Sequence, residues 1–298
     1  MKILIIGSEG FIGSNLLGFF QINHEVHSCD FTDIRGRLNY FQINPLNQNY
    51  FHILRNNNYD VVINCAGSAN VGASFLNPSY DFDANVHVVS KLLSAILEAK
   101  QKTKFLNISS AAVYGNPEGL PIYTEFVENS VPISPYGIHK RITEILLENY
   151  YKSFNIPTCS VRLFSAYGNG QRKLLLWDLF KKFSENDTVE LFGTGNESRD
   201  YIHVVDICTQ VELVLKNSEF KGEAYNIANG EEVFIKDIAG LFSRYFGNKK
   251  FKFNGVVRKG DPVNWKADIR GMLEWGYQKK VTFDEGVYQF IKWAQENA

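Results

Sequence analysis

Three glycines set directly behind an apolar run constrain this chain more than anything else in it. The run is Ile3-Leu4-Ile5-Ile6, and the turn behind it is Gly7-Ser8-Glu9-Gly10-Phe11-Ile12-Gly13. An uncharged, mostly β-branched run suits a parallel strand buried on both faces. Phe11 to Phe20 then reads as a helix. Glycines at such a junction permit a tight turn, close approach of backbone to a pyrophosphate, and close packing of helix on strand. The helix start adds free N–H groups and the positive end of a dipole, both suited to phosphate. A dinucleotide site formed by Gly7, Gly10, Phe11, Ile12 and Gly13 is therefore expected at the head of the chain.

The next segments keep to that scheme. Glu25 to Cys29 is a second apolar segment ending in Asp30, about twenty residues past the glycines, where a carboxylate accepts from an adenosine ribose and repels a 2′-phosphate. A turn-capping aspartate is the plainer alternative. Asp30 favours NAD, while Arg35 and Arg37 lie close enough to keep NADP open. Asp60-Val61-Val62-Ile63-Asn64-Cys65-Ala66-Gly67 reads as a buried strand, its small residues Ala66 and Gly67 leaving room for the cofactor. Asp83 to Lys100 reads as a helix, Lys104 to Ser109 as a strand, Tyr136 to Phe154 as a helix and Thr158 to Phe164 as a strand. Such alternation predicts an α/β fold, a Rossmann-type doubly wound parallel sheet. We divide it into a dinucleotide domain, residues 1–166, and a smaller lobe, residues 167–298, part of which returns to the sheet. In that lobe Ala224 to Ala228 is strand-like and Ile235 to Phe246 helix-like.

Composition narrows the partners. The formal net charge is −1 over 298 residues, and the basic residues are scattered rather than striped, which argues against nucleic acid. No apolar stretch approaches the roughly twenty residues that span a bilayer. Met1 to Ile6 runs into the first strand with no signal-peptide pattern, so a cytoplasmic protein is expected. Cys29, Cys65, Cys159 and Cys208 are far apart without metal-ligand spacing, and we read them as buried thiols and expect no metal.

The chemistry is expected from three residues. Tyr136 and Lys140 stand four apart at the start of a helix and so share a face; Ser110 ends a strand. A tyrosine hydroxyl titrates at about 10 and is a poor base near neutrality. A neighbouring ammonium stabilises phenolate, and a serine hydroxyl can hold a substrate oxygen in line. Ser109 competes for the serine role. His139 is expected to be a solvated helix residue, Asp206 a helix N-cap, and Asp200 and His203 structural.

The set Gly7/Gly10/Gly13, Asn64-Cys65-Ala66-Gly67, Asn85-Val86, Ser109-Ser110-Ala111-Ala112-Val113-Tyr114-Gly115, Ser134-Pro135-Tyr136-Gly137-Ile138-His139-Lys140 and Arg199-Asp200-Tyr201-Ile202-His203-Val204-Val205-Asp206 resembles the extended short-chain dehydrogenase/reductase family. The likeness is to its nucleotide-sugar epimerase/dehydratase members and covers nearly the whole chain. It implies Ser110, Tyr136 and Lys140 as catalytic, with Lys140 and Asn85 also beside the NAD, and Ser165, Arg199 and Arg258 toward a nucleotide-diphosphate sugar. It also implies a homodimer through a four-helix bundle built on Asp83 to Lys100 and Tyr136 to Phe154.

Departures from the family pattern carry information too. The 4,6-dehydratases carry Asp and Glu where this chain has Ala111 and Ala112, and methyl groups transfer no protons. Epimerases usually carry asparagine at Ser165, and Ala69 and Gln42 offer thinner cofactor contacts than their counterparts. Arg172 and Trp177 are further pocket candidates, with packing the plainer role for the tryptophan. The expected activity is an NAD-dependent nucleotide-sugar 4-epimerase or related C4 oxidoreductase. A nucleotide-4-keto-6-deoxy-sugar 4-reductase using NAD(P)H is the alternative, and a catalytically silent dinucleotide sensor the third reading.

Overall fold

The first strand, β1 (Lys2–Ile6), shows why this chain builds a sheet covered on both sides. Side chains alternate along a strand, so Ile3 and Ile5 face one way and Leu4 and Ile6 the other. All four are at most 2 % exposed, and the two pairs belong to separate apolar clusters. Each fully buried side chain of this kind stabilises by about 1.5–3 kcal/mol relative to exposure. The structure is a computed structural model and describes residues 1–45 and 47–298.

The chain continues through α1 (Phe11–Phe20), β2 (Glu25–Asp30), β3 (Tyr40–Gln42), α2 (Phe51–Arg55) and β4 (Val61–Asn64). Next come α3 (Val71–Leu76), α4 (Pro78–Phe82), a π-turn (Asp83–His87), α5 (Val88–Ala99) and β5 (Lys104–Ser110). Then α6 (Pro135–Phe154) leads to β6 (Thr158–Leu163). Beyond it lie β7 (Ser165–Tyr167), α7 (Leu174–Glu185), β8 (Thr188–Leu191), β9 (Ser198–Arg199), β10 (Tyr201–His203), α8 (Val204–Asn217) and β11 (Lys221–Ile227). The last elements are β12 (Val233–Phe234), α9 (Ile235–Tyr245), β13 (Lys250–Phe253), α10 (Arg270–Glu274) and α11 (Phe283–Asn297).

Seven strands form one parallel sheet in the order β11-β6-β5-β4-β1-β2-β3. On one face α1 and α8 bring Leu16, Phe20, Ile207 and Val211 onto the strands. On the other, α2, α5 and α6 bring Ile53, Leu92, Ile96 and Leu147. The chain first winds outward from β1 to β3, then returns to lay β4 on the other side of β1. In open α/β sheets the crevice at such a reversal is where ligands bind. Both α8 and β11 come from beyond residue 167 and complete the sheet, while α7, α9 and α11 pack a third core around Phe183, Phe242 and Phe290.

Asp83 to Lys100 is helical as expected, opening with the π-turn and closed by Lys100 in left-handed conformation at φ 54°. One expectation gives way to geometry. Asp206 is not the cap of α8. His203 is, its Nδ1 accepting from the Val205 N–H at 3.4 Å, because β10 feeds the helix with no intervening loop. Asp206 sits in the first turn, fully buried, and accepts from the Tyr277 hydroxyl and the Lys280 and Val281 N–H groups, pinning the segment before α11.

Candidate active site

The glycine turn closes on the sheet reversal. Gly7 leaves β1 at φ +76°, and a Cβ built on it would lie 2.6 Å from the Ala66 nitrogen beyond β4. A Cβ on Gly13 would lie 2.1 Å from the Gly7 carbonyl oxygen. Any side chain at either place would force β1, α1 and β4 apart. Gly10 caps α1 without any side-chain hydrogen bond, so the helix start at Phe11 and Ile12 keeps its N–H groups for a ligand. Asp30, at the end of β2, accepts from the Glu9 N–H at 3.0 Å and from the Phe31 and Thr32 N–H groups at 2.7 and 3.2 Å. It therefore fixes the turn and remains half-buried at the mouth of the crevice.

Ala66 and Gly67 form the opposite wall. A Cβ on Gly67 (φ +150°) would stand 2.6 Å from Asn85 Oδ1 and 3.4 Å from Lys140 Nζ, so these three positions converge. Asn85 lies on the π-turn, a feature frequent at functional sites. Its Nδ2 donates to the Asp81 carbonyl at 3.0 Å, and its Oδ1 is buried without a partner. A buried acceptor of this kind implies a donor from outside the chain. A glycine cradle, a bare helix start, a carboxylate at the ribose position and this open acceptor together fit a dinucleotide.

The candidate catalytic residues lie next to it. Ser134 caps α6 by accepting from the Gly137 N–H at 3.1 Å, and Pro135 occupies the first turn with no N–H to waste. That start places Tyr136 in the first turn and Lys140 one turn further on. The Tyr136 backbone N–H donates to the Ser74 hydroxyl at 3.2 Å, and the Lys140 ammonium lies 5.8 Å from the tyrosine ring centre while donating to the Ile108 carbonyl at 2.9 Å. Ser110, ending β5, accepts from the Ala112 N–H at 3.1 Å. Burial pushes the Tyr136 phenol up to about 12, opposed by the Ser110 hydroxyl and assisted by the Asp81 charge. Burial pushes the Lys140 ammonium down to about 8, against the pull of Asp81. Ser109 points the other way, donating to Glu144 Oε1 at 2.7 Å, so Ser110 alone of the two faces the tyrosine.

Residues from beyond 167 reach the site through Trp265. The Arg199 guanidinium lies 5.7 Å from the Trp265 ring centre, and the Trp265 indole donates to the Gly115 carbonyl just past Ser110, at 3.0 Å. Arg258 lies over Phe192 at 4.2 Å and is half-exposed. Asp261 sits within the field of both arginines; burial raises its carboxyl, and the two guanidinium groups oppose that rise. Asp200 accepts from the Asn229, Gly230 and Ala267 N–H groups at 2.9–3.0 Å and so anchors the loops beside Arg199. Ser165 is partly exposed at the start of β7. Arg172 lies over the rings of both Trp177 and Trp293, in the α7 core.

Local pattern misses several pairs. His139 is buried, not solvated: its Nδ1 meets Asp81 Oδ2 at 2.6 Å, because α4 packs on the face of α6 it occupies. Cys65 is only partly buried, unlike Cys29, Cys159 and Cys208. Glu144 and Arg162 form a bidentate pair beneath the site, with nitrogen–oxygen distances of 2.9 Å, and Glu9 pairs with Arg37. An acidic residue inside a glycine turn is the one available signal for the last.

A parallel sheet with a dinucleotide cradle and a Ser-Tyr-Lys set at its carboxyl edge defines a short-chain-type oxidoreductase. Residues 3–228 match the model of the NAD dependent epimerase/dehydratase family, and the chain belongs to that family, whose cofactor is NAD. UDP-glucose 4-epimerase of Mycoplasma pneumoniae is 28% identical over 292 residues, covering 88% of this chain and 86% of that protein. UDP-glucuronate 4-epimerase of Thermodesulfobacterium geofontis is 27% identical over 79% of this chain and 72% of its own length. Among solved structures, UDP-glucuronic acid 4-epimerase from Bacillus cereus with UDP-glucuronic acid and NAD superposes at a TM-score of 0.88. It is 26% identical and matches over 100% of both chains. Among the described residues no helix is long and apolar enough to cross a membrane.

Proposed function

We propose that this chain interconverts the C4 configuration of a nucleotide-diphosphate sugar, a UDP-sugar first among them. The observation that carries the reading is the Ser110-Tyr136-Lys140 set, its tyrosine and lysine buried and its serine half-buried, opening onto the dinucleotide cradle, with the methyl groups of Ala111 and Ala112 where dehydration would need an acid and a base. The named 4-epimerases among its relatives support it.

In this reading Ser110 donates to the C4 oxygen, the Lys140 charge favours the phenolate form of Tyr136, and that phenolate takes the C4 hydroxyl proton and becomes the phenol. When bound, NAD would supply the hydride-transfer chemistry at C4. Gly7, Gly10, Phe11, Ile12 and Gly13 would hold its pyrophosphate, Asp30 its adenosine ribose, and Lys140 and Asn85 the nicotinamide side, while Ala66 and Gly67 would give it room. Arg199 and Arg258 grip the substrate diphosphate through paired charge-assisted bonds, and Ser165 adds one hydrogen bond.

The test begins by releasing and identifying the nucleotide that co-purifies. The protein is then incubated with UDP-, GDP-, CDP- and dTDP-hexoses while C4 is followed by NMR. The expected result is interconversion of at least one UDP-sugar by protein carrying NAD(H). One-way reduction of a 4-keto-6-deoxy sugar with freely exchanging NADPH would replace this reading with the reductase, and no hydride transfer at C4 would remove it.

A homodimer through α5 and α6 belongs to the same proposal. Leu97, Ile138 and Ile145 on those helices are 37%, 47% and 50% exposed, an apolar face that a second copy would cover. Sedimentation equilibrium is expected to give twice the 34.0 kDa chain mass, and Ile145→Glu is expected to give monomer. A wild-type monomer at micromolar concentration would count against it. Four free thiols suit a reducing compartment, and the cytoplasm is the setting we assign.

A further inference from the structure

We propose that Glu9, by engaging Arg37, is a specificity residue that makes this chain select a dinucleotide with an unphosphorylated adenosine ribose. The inference rests on the family's dinucleotide site and stands whichever sugar is the substrate.

Glu9 lies between the first two glycines of the turn. Its backbone N–H donates to Asp30 Oδ2, so its position is tied to the carboxylate at the ribose end of β2. Its own carboxylate accepts from Arg37 Nη1 at 2.6 Å and from the Ser8 hydroxyl at 2.9 Å. The Arg37 side chain is only 32% exposed and lies over the Tyr40 ring, 5.6 Å from its centre. The Tyr40 phenol, already raised by burial, is raised further by the Asp30 and Glu9 charges and lowered by Arg37, so all three charges act on it.

Charge accounting then decides the preference. Two carboxylates and one guanidinium leave this rim with one net negative charge, and a 2′-phosphate would bring about −1.5 to −2 more. An arginine that receives such a phosphate must offer its fork of N–H donors. Here one nitrogen of the Arg37 fork, Nη1, already serves Glu9, and Arg35 is drawn to Asp33 at 3.6 Å. The two arginines that leave NADP open on sequence spacing are therefore both engaged by carboxylates of their own. A ribose bearing two free hydroxyls meets no such penalty, because Asp30 remains an acceptor.

The experiment is a binding titration on nucleotide-stripped protein, following nicotinamide fluorescence with NADH and NADPH separately. Wild-type protein is expected to prefer NADH. Glu9→Gln keeps the backbone bond to Asp30 but removes the charge and frees Arg37. It is expected to narrow the NADH/NADPH ratio on the order of tenfold, about 1.4 kcal/mol, mainly by tightening NADPH. Glu9→Gln combined with Arg37→Ala is expected to lose that gain. An unchanged ratio in Glu9→Gln, or a gain that survives Arg37→Ala, overturns the proposal. Wild-type protein that prefers NADPH overturns it as well. A melting scan with each variant identifies any that fails to fold, and in that case Glu9→Ala supplies the same comparison. Loss of C4 chemistry with this cofactor preference intact would sink the epimerase reading alone.

Discussion

Tyr136→Phe is expected to lower turnover by about 10²–10⁴-fold, the range over which a positioned acid or base contributes, while NAD uptake persists. The ring is 7% exposed and belongs to the apolar cluster with Ala111, Ala112 and Trp265, which phenylalanine preserves. What disappears is the hydroxyl on which Ser110 acts. Lys140 keeps its bond to the Ile108 carbonyl, so the cradle side of the site stays in place. Burial holds the phenol at about 12 and the ammonium at about 8, so both carry their protons at neutral pH. In the proposed step the Lys140 charge, 5.8 Å from the ring centre, would favour the phenolate form. Turnover followed by NMR, with bound nucleotide quantified after release, decides the matter. Turnover within a few-fold of wild type would remove Tyr136 from the mechanism, and a dinucleotide-binding sensor would show the same indifference in its ligand response.

The second large effect is on stability. Arg162→Met is expected to cost about 3–5 kcal/mol, because it leaves the Glu144 carboxylate buried without its main partner. Arg162 is 3% exposed in the interior strand β6 and donates through Nε and Nη2 to Glu144, and through Nη1 to the Tyr114 hydroxyl and the Thr124 carbonyl. Ser109 and a longer bond from Arg141 at 3.3 Å would remain. Replacing both members, Arg162→Met with Glu144→Leu, is expected to restore most of the loss, since no charge is then stranded. Denaturant midpoints for the three proteins provide the measurement. A single variant within about 1 kcal/mol of wild type would show that Glu144 finds water or another donor.

The main sheet is legible in the sequence because its signal is local. Ile3 to Ile6, Val61 to Asn64 and Phe105 to Ile108 are short apolar runs backed by small residues or helix-cap chemistry, and each forms a parallel strand. Ser110, Tyr136 and Lys140 are legible for a related reason: a helix start fixes the spacing of two of them, and a strand end supplies the third. Local pattern is silent about what packs on a given helix face. His139 reads as solvated because nothing within α6 covers it; Asp81, 58 residues away in sequence, does. Asp206 reads as a cap because the true cap, His203, ends a strand that runs straight into the helix. Asp30 admits a ribose role and a turn-capping role, and the geometry gives its carboxylate the second without taking away the first. The pairing of Arg37 with Glu9 depends on the path between β2 and β3, which spacing alone does not reveal.

The π-turn between α4 and α5 acts as a phase shift written into a rod. An ordinary helix turns about 100° per residue, so the wider turn at Asp83–His87 rotates everything behind it relative to an uninterrupted helix. One end of the rod keeps Asp81 against α6, the middle presents Asn85 to the cradle, and the far end presents Leu92 and Ile96 to the sheet. A regular helix through the same residues could satisfy the core or the cradle, but not both.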